Sequence, residues 1–161
     1  MYVRPEIFAT SAAISSAVNF LIGLVPLTVV LLIYGKSPGI KSPLILIFLI
    51  AMTLFITGVG LLLATAYLSF DDSRSIANIL ILGTQYATPV FYPITALGVH
   101  TQNLINLNPL TSYLQVFRSI YGDNAESTAN EWLMMTLSAI TLFVFGLYLF
   151  GRNWHKLVAR L

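Results

Sequence analysis

Between residues 9 and 34 the chain carries no charged side chain, and this stretch limits the possible folds more than any other feature. A helix needs about 20 apolar residues to cross the hydrocarbon core of a bilayer. The stretch exceeds that length and is too long for the apolar region of a signal peptide. Arg4 and Glu6 before it also fail to form a signal peptide's basic start. Three more stretches share its character. Residues 44–68 are Leu, Ile, Phe and small residues. Residues 75–92 are shorter and more polar, with Asn78, Thr84, Gln85 and Thr88 before Pro89. Residues 132–150 form the last. The expected fold is all-α: a polytopic transmembrane helical bundle of four spans, at about 9–34, 44–68, 75–92 and 132–150, within a single domain, 1–161.

Composition supports this reading. Hydrophobic residues make up 57% of the 161 and charged residues 9%, where a soluble domain has about 25% charged. So few charges cannot cover a water-facing surface. The net charge of +2 and the scatter of the basic residues exclude nucleic acid as a partner. The absence of cysteine excludes disulfides, thiolate metal sites and cysteine nucleophiles.

The breaks set the topology. Gly35 to Pro43 is rich in turn residues, and Pro26 interrupts the first span. Phe70 to Arg74 is a very short polar link, so spans two and three are antiparallel neighbours. Asp71, Asp72 and Ser73 stand where the next helix wants N-capping acceptors. The long break at 93–131 carries an apolar and aromatic run around Asn106, Asn108-Pro109 and Arg118. Such a run suits a short re-entrant helix packed against protein, or an interfacial one lying at the membrane surface. Four spans put both termini on one side with Arg4, Arg74, Arg152, Lys156 and Arg160. Lys36, Lys41 and Arg118 fall on the other side, and this bias votes for cytoplasmic termini.

Catalytic and cofactor chemistry finds little support. Gly35-Lys36-Ser37 resembles the end of a phosphate-binding loop, but the motif's first glycine would fall at position 30, where the chain has Val30. His100 and His155 lie on opposite sides of the expected topology and have no carboxylate at ligand spacing, so no metal site is expected. No catalytic residue set and no cofactor are expected. The spans hold no ionisable group of the kind a proton-coupled carrier relies on, so the driving energy is expected from a partner. Tyr86, Phe91, Tyr92, Tyr113, Phe117 and Tyr121 form an aromatic set. One reading is a belt at the water interface; the other is a lining that stacks on sugar rings. Arg118 either binds an anionic substrate group or snorkels to headgroups. Gly58 and Gly60 allow close helix approach.

An ordered set of motifs then resembles a known family. It comprises Tyr67 to Asp72, Thr88-Pro89-Val90-Phe91-Tyr92-Pro93, Leu107-Asn108-Pro109-Leu110 and Phe117-Arg118-Ser119. In this order the pieces resemble the permease subunits of ABC exporters for bacterial surface polysaccharides: O-antigen, capsule or teichoic acid. One departure is that Arg74 follows the acidic pair, where the family commonly has an Arg before it. The resemblance implies a six-span subunit of which this chain covers the last four spans, incomplete at its N-terminus. It further implies a second permease copy, a separate ATP-binding subunit, a lipid-linked glycan as substrate and the inner membrane as location. It places Tyr2, Arg4, Pro5 and Glu6 at the ATPase-coupling end. The substrate path would run along Tyr86, Phe91, Tyr92, Tyr113, Phe117 and Arg118. Export of a small drug or lipid, and a non-transporting scaffold, are the alternative readings.

Overall fold

The computed structural model describes residues 6–34, 42–69, 72–90, 92, 94, 97–121 and 127–158. Among them every regular element is helical: α1 (Glu6–Ile33), a short 3-10 turn (Ser42–Leu44), α2 (Ile45–Ser69), α3 (Ser73–Ala87), α4 (Val99–Asn106), α5 (Pro109–Tyr121) and α6 (Ala129–Val158). Three of these helices hold stretches long and apolar enough to cross a membrane: Ile14–Ile33, Ile45–Tyr67 and Ala129–Asn153. The stretch expected at 75–92 folds as a helix of 15 residues. At ~1.5 Å per residue it reaches about 22 Å, short of a core ~30 Å thick. Its stop is local: Thr88 precedes Pro89 and is therefore pushed out of the helical region, to φ −98° and ψ 130°.

Pro26 lies inside α1 without ending it. It has no N–H to give to the preceding turn, but ending the helix there would leave still more backbone groups unsatisfied in lipid, so the helix continues. The link before α3 also differs from the expected cap. Asp72 is already helical, at φ −82° and ψ −3°, and its side chain makes no capping bond. An N-cap needs an extended backbone to aim its oxygen at the next turn. Ser73 instead donates backwards to the Ala66 carbonyl (2.9 Å), tying the start of α3 to α2.

The core is the crossing of α2 and α6, with α1 and α5 packed on α2 and α5 also packed on α6. Side chains are absent where the two long helices meet. A Cβ on Gly58 would lie 2.5 Å from the Leu142 carbonyl carbon, and one on Gly146 would lie 2.7 Å from the Gly58 carbonyl oxygen. Backbones this close gain van der Waals contact, the main attraction between helices in lipid. Gly60, the other glycine expected to serve this role, has nothing within 4 Å. α1 is the least covered long helix: 6% of its apolar window is buried, against 33% for α2 and 22% for α6, so it forms the edge of the bundle.

Candidate functional site

The motif pieces at Thr88-Pro89-Val90, Asn108-Pro109 and Phe117-Arg118 meet at one junction, where α3 ends against α5. Asn108 stands just before Pro109, the first residue of α5, a position where proline's missing N–H costs nothing. Its side-chain oxygen accepts from the Leu110 N–H (3.1 Å), capping the helix. Its side-chain nitrogen donates to the Thr88 hydroxyl (3.2 Å) and reaches the Ala87 carbonyl (3.5 Å). The Thr88 hydroxyl in turn donates to the Thr84 carbonyl (2.9 Å). A single amide therefore starts one helix and closes another.

Beyond Thr88 the carbonyls of Pro89 and Val90 have no helix to accept into. Arg118 supplies the donors: its Nη2 lies 3.0 Å from the Pro89 oxygen and 3.2 Å from the Val90 oxygen. The guanidinium is thus engaged with backbone. Through this nitrogen the side chain ties α5 to the end of α3. Tyr92 extends the junction by donating to the Tyr86 carbonyl (3.0 Å).

The aromatic set divides. Tyr113 and Phe117 turn inward. Tyr113 is buried, packs against Phe55 (5.1 Å between centroids) and Phe48 (6.0 Å), and its hydroxyl is shared between the carbonyls of Met135 (3.1 Å) and Ala51 (3.3 Å). Those carbonyls lie about 9 Å into α6 and α2 along their axes, so α5 is wedged between two long helices. Phe117 meets Phe20 edge-on (5.6 Å) and stacks on Tyr121 (5.3 Å). Tyr86 points outward and is 74% exposed. Phe91 lies outside the described residues, as do Tyr2, Arg4 and Pro5; Glu6 is described only as the first residue of α1. Tyr86 and Arg118 therefore belong to one junction, while Tyr113 and Phe117 face the core beside it.

Sequence reasoning missed two features. The far end of α5 is held by the Ser119, Ser127 and Trp132 side chains, with hydroxyl oxygens 2.8 Å apart and Trp132 Nε1 donating to Ser127 (2.9 Å). Thr128-Ala129-Asn130-Glu131 makes one half of a capping box: the Glu131 carboxylate accepts from the Thr128 N–H (3.0 Å). The Thr-x-x-Glu spacing would have shown it.

Between its ends α3 stands away from α2 and leaves a cleft of about 710 Å³. One wall is a stripe of α2: Phe48, Met52, Phe55, Val59 and Leu63. The other is a stripe of α3: Ala77, Ile81, Thr84 and Thr88. Tyr113, Leu114 and Phe117 close one end. The lining is nearly all apolar; Thr84, Gln85 and Thr88 are its polar members. Among the described residues no group of His, Cys, Asp or Glu could hold a metal ion.

A family model described as "ABC-2 type transporter" matches residues 1–121. The chain is also similar to the "O-antigen export system permease protein RfbA" of Myxococcus xanthus. They share 24% identity over 142 residues, covering 85% of this chain and 53% of the relative. The chain thus spans about half the length of the curated relative it matches.

Proposed function

The chain belongs to the ABC-2 type transporter family, and we propose that it is the membrane-spanning permease part of an ATP-driven exporter of a lipid-linked polysaccharide. ATP would be hydrolysed by a separate ATP-binding subunit. The polysaccharide is supported by the name of the relative, an O-antigen export permease. The observation that carries a transport role is the surface of α3. Ser75, Asn78, Gln85 and Tyr86 share one side of this helix and are all exposed. In an apolar bundle such groups belong beside water or another polar chain, because an amide facing hydrocarbon is unfavourable.

In this reading α3 counts as a fourth crossing, completed by the segment after Thr88. A second copy of the permease faces it, and the glycan slides along hydroxyl, amide and ring surfaces between them. The termini lie in the cytoplasm of a bacterial cell, at its inner membrane, with Tyr2, Arg4, Pro5 and Glu6 at the ATPase. Tyr113 and Phe117 act behind this surface, packing α5 against the long helices. Asn108 and Arg118 fix the end of α3 in the same way. Phe91 and Tyr92 extend the path beyond the junction.

The test is export by the complete transporter in a strain lacking it. Tyr86→Ala combined with Asn78→Leu should lower glycan export at unchanged protein level in the membrane. Unchanged export would sink the assignment of this face. A second reading, export of a small lipophile, is favoured by the apolar lining of the cleft. It predicts that filling the cleft with Val59→Trp stops export while the Tyr86 and Asn78 changes do not.

A further inference from the structure

The bend after α3 brings two carbonyls to one cation. Thr88 leaves the helix, and the Val90 N–H closes a tight turn on the Thr88 carbonyl (2.7 Å). Past that turn the Pro89 and Val90 oxygens converge on Arg118 Nη2, at 3.0 and 3.2 Å. The two bonds are not equivalent. Pro89 is fully buried and its bond is partly shielded, whereas Val90 is 44% exposed and its bond is open. A Pro89 carbonyl cut loose would be stranded without a partner. A Val90 carbonyl cut loose would find water.

The choice of nitrogen has a consequence for anions. A guanidinium grips a carboxylate or phosphate with two parallel N–H bonds. They come from Nε and Nη2 along its side, or from Nη1 and Nη2 across its end. Nη2 belongs to both grips, and it is the nitrogen already given to the carbonyls. An anion that takes Arg118 in the two-pronged way must therefore displace one of them. The guanidinium is open to such an exchange. Arg118 is exposed, and among the described residues it forms no ion pair. A charged donor bonds an anion about twice as strongly as a neutral carbonyl, so the weaker of the two carbonyl bonds is the one to yield.

We propose that Arg118 is an anion-operated latch: a phosphate or carboxylate group reaching the C-terminal end of α3 takes the two-pronged edge of the guanidinium, releases the Val90 carbonyl and leaves the Pro89 carbonyl bound. The chain beyond Pro89 is then free to move, while α3 stays tied to α5 through Asn108 and Pro89. The inference rests on the placement of one side chain and not on the exported molecule, so failure of the polysaccharide reading leaves it standing.

The experiment uses the complete transporter in uncharged maltoside micelles. Amide exchange over residues 84–92 is followed by mass spectrometry after adding inorganic phosphate, phosphatidylglycerol, or sodium chloride at matched ionic strength. Phosphate or phosphatidylglycerol should quicken exchange there about fivefold, the size of one ordinary hydrogen bond, with α5 unchanged. Chloride should have no such effect. A response to inorganic phosphate assigns the latch to water-borne anions, and a response to phosphatidylglycerol alone assigns it to headgroups. Arg118→Met should abolish the response. Arg118→Lys should weaken it, because an ammonium keeps the charge but has no two-pronged edge. No response to either probe, an equal response to chloride, or an undiminished response in either variant would overturn the proposal. Asp123→Asn combined with Glu126→Gln removes the acids that follow α5 in the sequence. A response seen only in that variant would show that the chain's own carboxylates hold the guanidinium, and would overturn the proposal as well.

Discussion

α3 and α5 are both short amphipathic helices and reach opposite surroundings. They have 15 and 13 residues, each alternates apolar and polar faces, and each borders a proline. α5 buries Thr111, Ser112, Tyr113, Val116, Ser119 and Ile120 between α2 and α6. Among its described side chains α3 buries Ser73 and Ala77 alone, and it exposes Ile79 and Tyr86 by 69% and 74%. Amphipathic sequence alone therefore does not place a helix; the number of neighbours that reach it does. α5 has a long helix on each side. α3 has α2 at its first turn, α5 at its last, and a cleft between.

The largest test of this contrast is truncation of one side chain on each helix. Tyr113→Ala should cost about 3–5 kcal/mol, as expected for a buried ring. Ile79→Ala should stay within about 0.5 kcal/mol, as for other exposed sites. Unfolding in detergent micelles reads both, and equal costs would break the distinction. Next comes the tie between the two helices. Arg118→Met leaves the Pro89 and Val90 carbonyls without a donor, a loss of about 1.5–3 kcal/mol for a charged donor. Amide exchange at the end of α3 should quicken. Arg118→Lys should restore part of the protection, since one ammonium can still reach a carbonyl but lacks the planar fork.

Asn108 separates the two ends of that tie. Asn108→Asp keeps the oxygen that caps α5 but loses the donor to Thr88, so exchange should quicken in α3 and not in α5. Asn108→Ala should quicken both, at about 1 kcal/mol for the lost cap. Parallel behaviour of the two variants would refute the shared role of the amide. The smallest effect is expected at Thr111, whose hydroxyl is buried without a partner. Thr111→Val removes an unsatisfied group at constant shape, so α5 should be unchanged or up to about 1 kcal/mol more stable.

The sequence carried the long helices plainly, because a charge-free stretch of span length has few other uses. It carried α3 as an element but not its length, which turns on Thr88 leaving the helix ahead of Pro89. Gly58 was readable as a close-approach site, but its partner Gly146 was not, since only the crossing pairs them. Asn108-Pro109 and Phe117-Arg118 stood out as motifs. What they do was hidden, because Asn108 acts on Thr88 and Arg118 on Pro89, contacts that no local pattern encodes. The aromatic residues were visible as a set, yet nothing in their spacing separates inward Tyr113 from outward Tyr86.

The contact of Gly58 with the Leu142–Gly146 turn also has a mechanical side. α2 and α6 run parallel, with α5 wedged near their first turns and the glycine contact farther along. Two rods touching at one point, with nothing compressible between them, behave as scissors. From the crossing to Ala51 is about 10 Å of helix, and to Ser69 about 16 Å. A shift of α5 that spreads the blades on the short arm must spread the far tips too, by roughly one and a half times as much. Spin labels at Leu46 and Leu133, and at Tyr67 and Gly151, would report distance changes of the same sign if the fulcrum holds. Changes of opposite sign would show that the helices rock against each other instead.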